Sequence, residues 1–468
     1  MPYYGIEDFK SGIDLRKSEI TAPAGTLRVL NNAHITQGGE IEKRTKFDFF
    51  ADAPAGSFGL MSMNGVLYVI KQGVSNYVTS SGIYVVGVTM PAGVTISAFM
   101  DWDLYDGRLY FVVLGSDSFY HHFYDGAYVP EGKGKNIRTY KEKMYGVLGR
   151  TIYFSAVGDP TKWTDPAPVG GVVTRNGSGF INIGANDADS EDLVSMEVYY
   201  DKLAIFSKLA TQLWFMDPDP AANTYQQTLR DAGTLAANSV RQFVANDIYY
   251  LGNYGVRSLR ARDLTITAAV SDVGSPVDTL FQELLSTKGE EYMSKAQALL
   301  NPRNGRFFMI LPNDIFVLSS YPSPNISAWG RYDAPGTIVN TVYSDPFIYV
   351  RDNTDKLWRF GGAGTTTFDS SAVDVTLPYL SFELPATMKT FKGVDVSCTG
   401  TWDVFVGLDP SNPVAEDKIA TISGPTFLNG RIPFVGRSTH IRLRFRNASP
   451  GPATLSKVFI HYEKAETE

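Results

Sequence analysis

Five histidines, one cysteine and one dense run of acids are the side chains of this sequence with most scope for chemistry. His34, His121, His122, His440 and His461 could each ligate a metal or carry a proton. Only His121 and His122 are adjacent, and no carboxylate stands at helical or strand spacing to complete a ligand set with them. Tyr120, Phe123 and Tyr124 flank the pair, which reads as an aromatic strand end. Cys398 has no partner for an intrachain disulfide and reads as a small buried residue of a strand over 394–398, not as a nucleophile. The acidic run 186–192 would need a glycine at its sixth position and an acid at its twelfth to be a calcium loop. Counted from Asp187, those positions hold Asp192 and Val198. A solvated loop is the plainer reading, with weak cation binding as the alternative. No Walker-type phosphate loop is present. These residues point to no active site, no metal and no cofactor.

The elements that must position such residues announce themselves as a beat. An alternating apolar run meets a short polar turn, and an aromatic-rich run follows. Leu60-Met61-Ser62-Met63, Asn64-Gly65 and Val66-Leu67-Tyr68-Val69-Ile70 make one copy; Asp106-Gly107 before Leu109-Tyr110-Phe111-Val112 belongs to another. Asn-Gly and Asp-Gly supply the positive φ of tight hairpins, so each copy predicts two antiparallel strands. Further turns fall at Glu142-Lys143, Asp201-Lys202, Asn246-Asp247, Asn304-Gly305 and Ser344-Asp345-Pro346. A hairpin period of about 40 residues is that of a β-propeller blade. The expected fold class is all-β: a propeller of about six to seven blades, since two beats could share one four-stranded blade. An irregular sandwich is the alternative.

The beat occupies 46–365, with interruptions at 157–190 and at a helix near 276–288. Ser275 is placed to cap that helix, Pro276 to open it and Asp278 to complete a capping box. Val277, Leu280, Phe281, Leu284 and Leu285 form its apolar stripe, and Gly289 is a stop signal. Residues 1–45 read as two short strands around a glycine turn, a docking segment. After 365 the texture becomes that of a β-sandwich-like domain, 366–468. There Arg442, Arg444 and Arg446 share one strand face, either solvated or a partner-binding stripe.

Composition narrows the function. A hydrophobic content of 44% supplies a large core. A charged fraction of only 19% suits a surface buried in an assembly. The net charge of −7 argues against gripping nucleic acid, whose affinity comes from Lys and Arg, but suits a wall past which DNA slides. No run of 18 apolar residues occurs, and Met1-Pro2-Tyr3-Tyr4 lacks the features of a signal peptide. The expectation is a product made in a cytoplasm, without membrane insertion. Hydrolases such as sialidases also use propellers, and 155–163 contains the Ser, Asp, Gly and Trp of their aspartate-box turn. The order is wrong and the motif does not recur by blade.

Several segments together resemble the tail nozzle proteins of short-tailed bacteriophages, also called tail hub or packaged-DNA stabilisation proteins. The stretch 30–44 is similar to their opening: an Asn-rich strand (Leu30-Asn31-Asn32-Ala33), a glycine turn (Gly38-Gly39) and a basic pair (Lys43-Arg44). Arg150-Thr151-Ile152-Tyr153-Phe154-Ser155 with Gly158-Asp159-Pro160-Thr161-Lys162-Trp163 resembles a strand and Asp-Pro-x-x-Trp turn of phage tail propellers. Asp201-Lys202-Leu203-Ala204-Ile205-Phe206 with Gln212-Leu213-Trp214-Phe215-Met216 is similar to their strand pair, and 246–257 to their blade with a Gly-Val-Arg turn. The motifs occur in the family's order. The resemblance implies a non-enzymatic virion protein made in a bacterial host's cytoplasm. It implies a homo-hexameric tube below the head-to-tail adaptor ring that extends the DNA-ejection channel. It implies, too, retention of packaged DNA and attachment of tail fibres, spikes or a needle. On that reading Asp187, Asp189, Glu191 and Asp192 are candidate lumen-lining acids that repel phosphate. Lys43, Arg44, Arg442, Arg444 and Arg446 are candidates for partner docking. The rival classes are a glycan- or protein-binding propeller and, behind it, a sialidase-like hydrolase.

Overall fold

A computed structural model describes residues 2–166, 175–184, 191–243, 246–264, 272–323, 325–361 and 368–464. Six small sheets, and four strands of a larger nine-stranded sheet, follow one another as seven units along 47–360. Their innermost strands are Ser57–Met63, Ile96–Tyr105, Asn136–Tyr140, Leu193–Tyr199, Arg241–Phe243, Gln297–Asn301 and Ile338–Ser344. Each packs on the next, and the seventh packs on the first, so the sheets form a ring of seven blades. The ring closes through sequence ends. Phe47–Asp52 supplies the outer strand of the seventh blade, paired with Lys356–Phe360. Each of the seven beats is the hairpin between the first and second strands of one blade.

The turns explain why the chain folds back where it does. Asn64 and Gly65 have φ of 51° and 77°, and Asp106 and Gly107 of 48° and 70°, as two-residue hairpins demand. Two turns lie one residue earlier than their spacing suggests. Lys141-Glu142 and Tyr200-Asp201 are the loop residues, because Tyr140 pairs with Lys143 and Tyr199 with Lys202.

Strand alternation builds the core between blades. In Arg108–Gly115, Leu109, Phe111 and Val113 face the first blade, while Tyr110 and Val112 face the third. In Lys202–Ser207, Leu203 and Ile205 face the third blade, and Ala204 and Phe206 the fifth. Both faces of such strands are buried, so they read as continuous apolar runs.

Two blades depart from the four-strand meander. Among the described residues the fifth has three strands. In the first, Val66–Gln72 pairs in parallel with Tyr84–Val88, and Tyr77–Val78 lies outside it. The crossing segment runs so close over Gly87 that a Cβ there would stand 1.9 Å from the Val74 carbonyl oxygen. Nor is 157–190 a single loop. Gly179–Asn182 is the fourth strand of the third blade and divides it.

Residues 1–45 do not form a separate segment. Tyr3–Ile6, Ala33–Ile35 and Ile41–Lys43 join one sheet with Lys389–Thr399, Gly436–Ser438 and Thr454–Lys464. Val29–Asn31 joins a second sheet with Val373–Thr376, Trp402–Gly407, Asp417–Ile422 and Arg442–Asn447. The two sheets enclose Leu30, Val375, Trp402, Phe445, Val394 and Ile460 as a sandwich made from both ends of the chain. Its second sheet continues into the sixth blade, where Asn31 lies beside Arg331 in parallel.

The insertion helix is Asp278–Ser294, preceded by a 3-10 turn Ser275–Val277. Ser275 does not cap it; Val277 occupies the cap position, and Asp278 is held by Arg257 at 2.7 and 2.8 Å. Gly289, at φ 79° and ψ 173°, is non-helical and divides this span into two helical stretches, so the first ends at the expected stop signal. The predicted stripe packs inward, with Phe281 against Phe316 at 4.4 Å between ring centres.

Candidate functional site

The propeller axis carries charges that sequence reading did not single out. Asp101, Arg138, Glu197 and Arg241 come from the innermost strands of the second to fifth blades, one from each. Arg138 donates from Nη1 to Asp101 Oδ2 at 3.0 Å and from Nε to Glu197 Oε2 at 3.1 Å. Arg241 stands 3.9 Å from the same Glu197 oxygen. Burial alone would lower the Arg138 pKa, but Asp101 and Glu197 outweigh it and raise it. Arg241 moves the other way, through burial and the neighbouring Arg138. Asp103 accepts the Thr139 amide at 2.6 Å, and burial holds its carboxyl above the ordinary range. The signal was available: a charge inside runs such as Phe99-Met100-Asp101-Trp102 and Met196-Glu197-Val198.

Leu60, Asp101, Asn238, Arg241, Gln297 and Thr341 line an axial cavity of about 30 Å³. That is room for ordered water. The belt therefore ties neighbouring blades together electrostatically.

The expected docking residues divide sharply. Lys43 and Arg44 are buried, at 1% and 3% exposure. Lys43 Nζ donates to Asp369 O, Asn447 Oδ1 and Ser449 O at 2.8, 3.1 and 2.6 Å. Arg44 donates to Asn32 Oδ1, Thr45 O, Asp369 Oδ2 and Ser371 Oγ. The basic pair is thus an internal clamp between the two ends of the chain, and a partner cannot reach it. Arg442 is buried as well, bound to Glu19, Glu416 and the Pro413 carbonyl. Arg444 grips Asp374 in bidentate fashion and reaches Glu416 at 3.2 Å. Only Arg446 of the stripe is exposed. Asp187 and Asp189 lie outside the described residues. Glu191 is half-buried and Asp192 exposed, at the connection between the third and fourth blades.

The other chemistry-bearing residues have structural partners. His122 is fully buried between Tyr110 Oη at 3.1 Å and Gly134 O at 2.9 Å. Contrary to the expectation that no carboxylate stands at ligand spacing from the histidine pair, Asp117, four residues before His121, meets it at 3.1 Å, and His461 meets Asp395 at 2.7 Å. Trp163 of the Asp-Pro-x-x-Trp turn buries its ring against His122 and donates Nε1 to Pro160 O at 2.9 Å. Asp159 holds the turn through Thr161 N and Oγ1. Burial raises the Cys398 thiol to about 11. Among the described residues no three of His, Cys, Asp and Glu converge as a metal site, and no helix is long and apolar enough to cross a membrane.

No family model matches the chain, and no curated protein matches it. Solved structures similar to it include the computationally designed Ika8 protein, at 10% identity and TM-score 0.34 over 75% of this chain and 99% of that one. Another is the extracellular domain of a hybrid two-component system from B. thetaiotaomicron, at 10% identity and TM-score 0.39 over 86% of this chain and 51% of that one. BamB from Moraxella catarrhalis matches at 10% identity and TM-score 0.34 over 77% of this chain and 97% of that one. The chain spans about half of the B. thetaiotaomicron domain. The fold assignment rests on the strand pairing described above.

Proposed function

We propose that this chain is a structural virion protein, the tail nozzle of a short-tailed bacteriophage. Six copies form a ring below the head-to-tail adaptor. The ring extends the DNA-ejection channel, retains packaged DNA and anchors fibres, spikes or a needle, without enzymatic activity. The observation that carries the reading is the ordered set of resembling motifs. They fall on the strands of 29–43 and then on the third, fourth and fifth blades in succession.

The shape is compatible with it. A propeller with a sandwich fused to one blade offers unlike surfaces on its two sides, and a ring requires heterologous contacts. Phe119, Leu148, Leu209 and Tyr254 are exposed at equivalent turns, between the second and third strands of blades two to five. An apolar rim on one face of the propeller follows, suited to contact within an assembly. On this reading the genome passes through the hole of the ring, between subunits.

Native mass spectrometry of the protein alone and with a candidate adaptor ring tests the proposal. A six-copy species, free or on the adaptor, is the expected result. A monomer that never joins the ring rejects it and makes glycan binding the next assay.

A further inference from the structure

Where the sandwich meets the sixth and seventh blades, a cleft of about 290 Å³ opens. Its polar wall comes from Glu42 of the sandwich and from Asn301, Arg303, Asn304 and Arg306 of the first hairpin in the sixth blade. Phe347, Phe360 and Phe368 form its apolar wall.

Most polar groups here are already engaged. Arg303 is bidentate on Asp345 at 2.6 and 2.7 Å. Lys43 is bound to its three oxygens, and His34 sits between Tyr332 at 2.8 Å and Glu42 at 3.0 Å. Asn301 Oδ1 accepts the Arg303 amide at 3.1 Å. Two atoms stand out: Arg306 Nε and Asn304 Oδ1 are buried and have no hydrogen-bond partner. The nearest carboxylate to Arg306 is Glu42, 4.0 Å from Nη2. Buried polar atoms are almost always satisfied, and both orphans belong to residues that line this cleft.

The chemistry of a group that would satisfy the orphans follows from charge and shape. Lys43, Arg303 and Arg306 line the cleft against Glu42, and the Asp345 paired to Arg303 still leaves the local charge positive. A guanidinium with an unused edge prefers a carboxylate or phosphate oxyanion. The phenyl walls favour a flat apolar body beside it. The volume lies at the small end of ligand pockets.

We propose that this cleft is a binding site for a small oxyanion, carboxylate or phosphate, carried on a planar apolar body. Arg306 holds the oxyanion, Asn304 bonds a neighbouring polar atom, and the three phenyl rings enclose the body. The proposal is independent of hexamer formation, because every residue belongs to one chain.

Calorimetric titration of the full chain tests it with benzoate, phenyl phosphate, inorganic phosphate and benzyl alcohol. Benzoate or phenyl phosphate should bind one to one, about tenfold or more tighter than inorganic phosphate or benzyl alcohol. Whichever of the two binds more tightly identifies the oxyanion. Arg306→Gln should weaken both by at least about tenfold and leave benzyl alcohol unchanged. Phe347→Ala, at the cleft wall and partly exposed, should weaken the aromatic anions and spare inorganic phosphate. The proposal is overturned if none of the four probes saturates the wild type, or if Arg306→Gln and Phe347→Ala, with unfolding midpoints near wild type, both bind as the wild type does.

Discussion

His34 and His122 are held as neutral imidazoles inside the protein, each with both ring nitrogens occupied. Burial pulls His34 from 6.5 down to about 4, and His122 to about 3. In the unfolded chain both take a proton near 6.5, so the stability they confer is complete above that pH. It is lost as pH falls, by about 1.4 kcal/mol per pH unit for each histidine, through a window ending near 4 for one and 3 for the other. Urea unfolding between pH 7 and 4 should show that slope, and His122→Asn should remove one proton's share of it. A slope unchanged in the variant would refute the assignment. Arg138 makes a second case. Its loss in Arg138→Met leaves Asp101 buried without its counter-charge and Glu197 with only the more distant Arg241, and about 3–5 kcal/mol of unfolding free energy should disappear at pH 7. The setting of the histidine pair was legible, because Tyr120, Phe123 and Tyr124 signal an aromatic strand. The axial belt was not, since Arg138 finds its partners 37 and 59 residues away. Only the register of successive blades brings those positions together.

At the scale of elements, the hairpins were written locally and the closures were not. Turn chemistry and apolar runs located the first hairpin of all seven blades, because residues two apart in a turn decide the reversal themselves. Strand Phe47–Asp52 escaped notice because its partner, Lys356–Phe360, lies at the far end of the ring. The parallel crossing in the first blade escaped for a similar reason: Tyr84–Val88 displaces the strand that precedes it in sequence. Double-sided burial predicts where elements are fragile. Phe111 fills the seam between the first two blades, stacked on Phe123 at 5.3 Å, and Phe111→Ala should cost about 3–5 kcal/mol by urea unfolding. The turns predict the opposite sign. Glu142 is exposed at φ 58°, where a side chain is strained and glycine is not. Glu142→Gly should stabilise by roughly 0.5–1 kcal/mol, and a fall in unfolding midpoint would show that its side chain matters more than its backbone.

For the whole molecule the decisive feature is that both chain ends build one sandwich, which shares a sheet with the sixth blade. Composition shifts near 45 and 366 made each end look separate, and nothing local in either end names the other as its partner. The buried core crosses the junction without a gap, from Phe307 and Phe316 in the sixth blade through Trp329 to Leu30 and Val375. Such continuity makes sandwich and propeller one cooperative unit, and thermal unfolding should show a single transition. Arg44 is the test of what holds the joint. Its guanidinium bonds Asn32 and Asp369, while Asn32 itself reaches Asp333 Oδ2 at 2.6 Å and Ala372 O at 2.9 Å. One buried hub therefore ties the N-terminal strands, the C-terminal domain and the sixth blade. Arg44→Ala leaves those acceptors buried without their donor, at a cost of about 3–5 kcal/mol. The loss should fall unevenly: amides of 29–43 and 373–376 should exchange hydrogen far faster, while those of the second and third blades keep wild-type protection. Uniform acceleration across all blades would mean that the ring, and not the junction, depends on this residue.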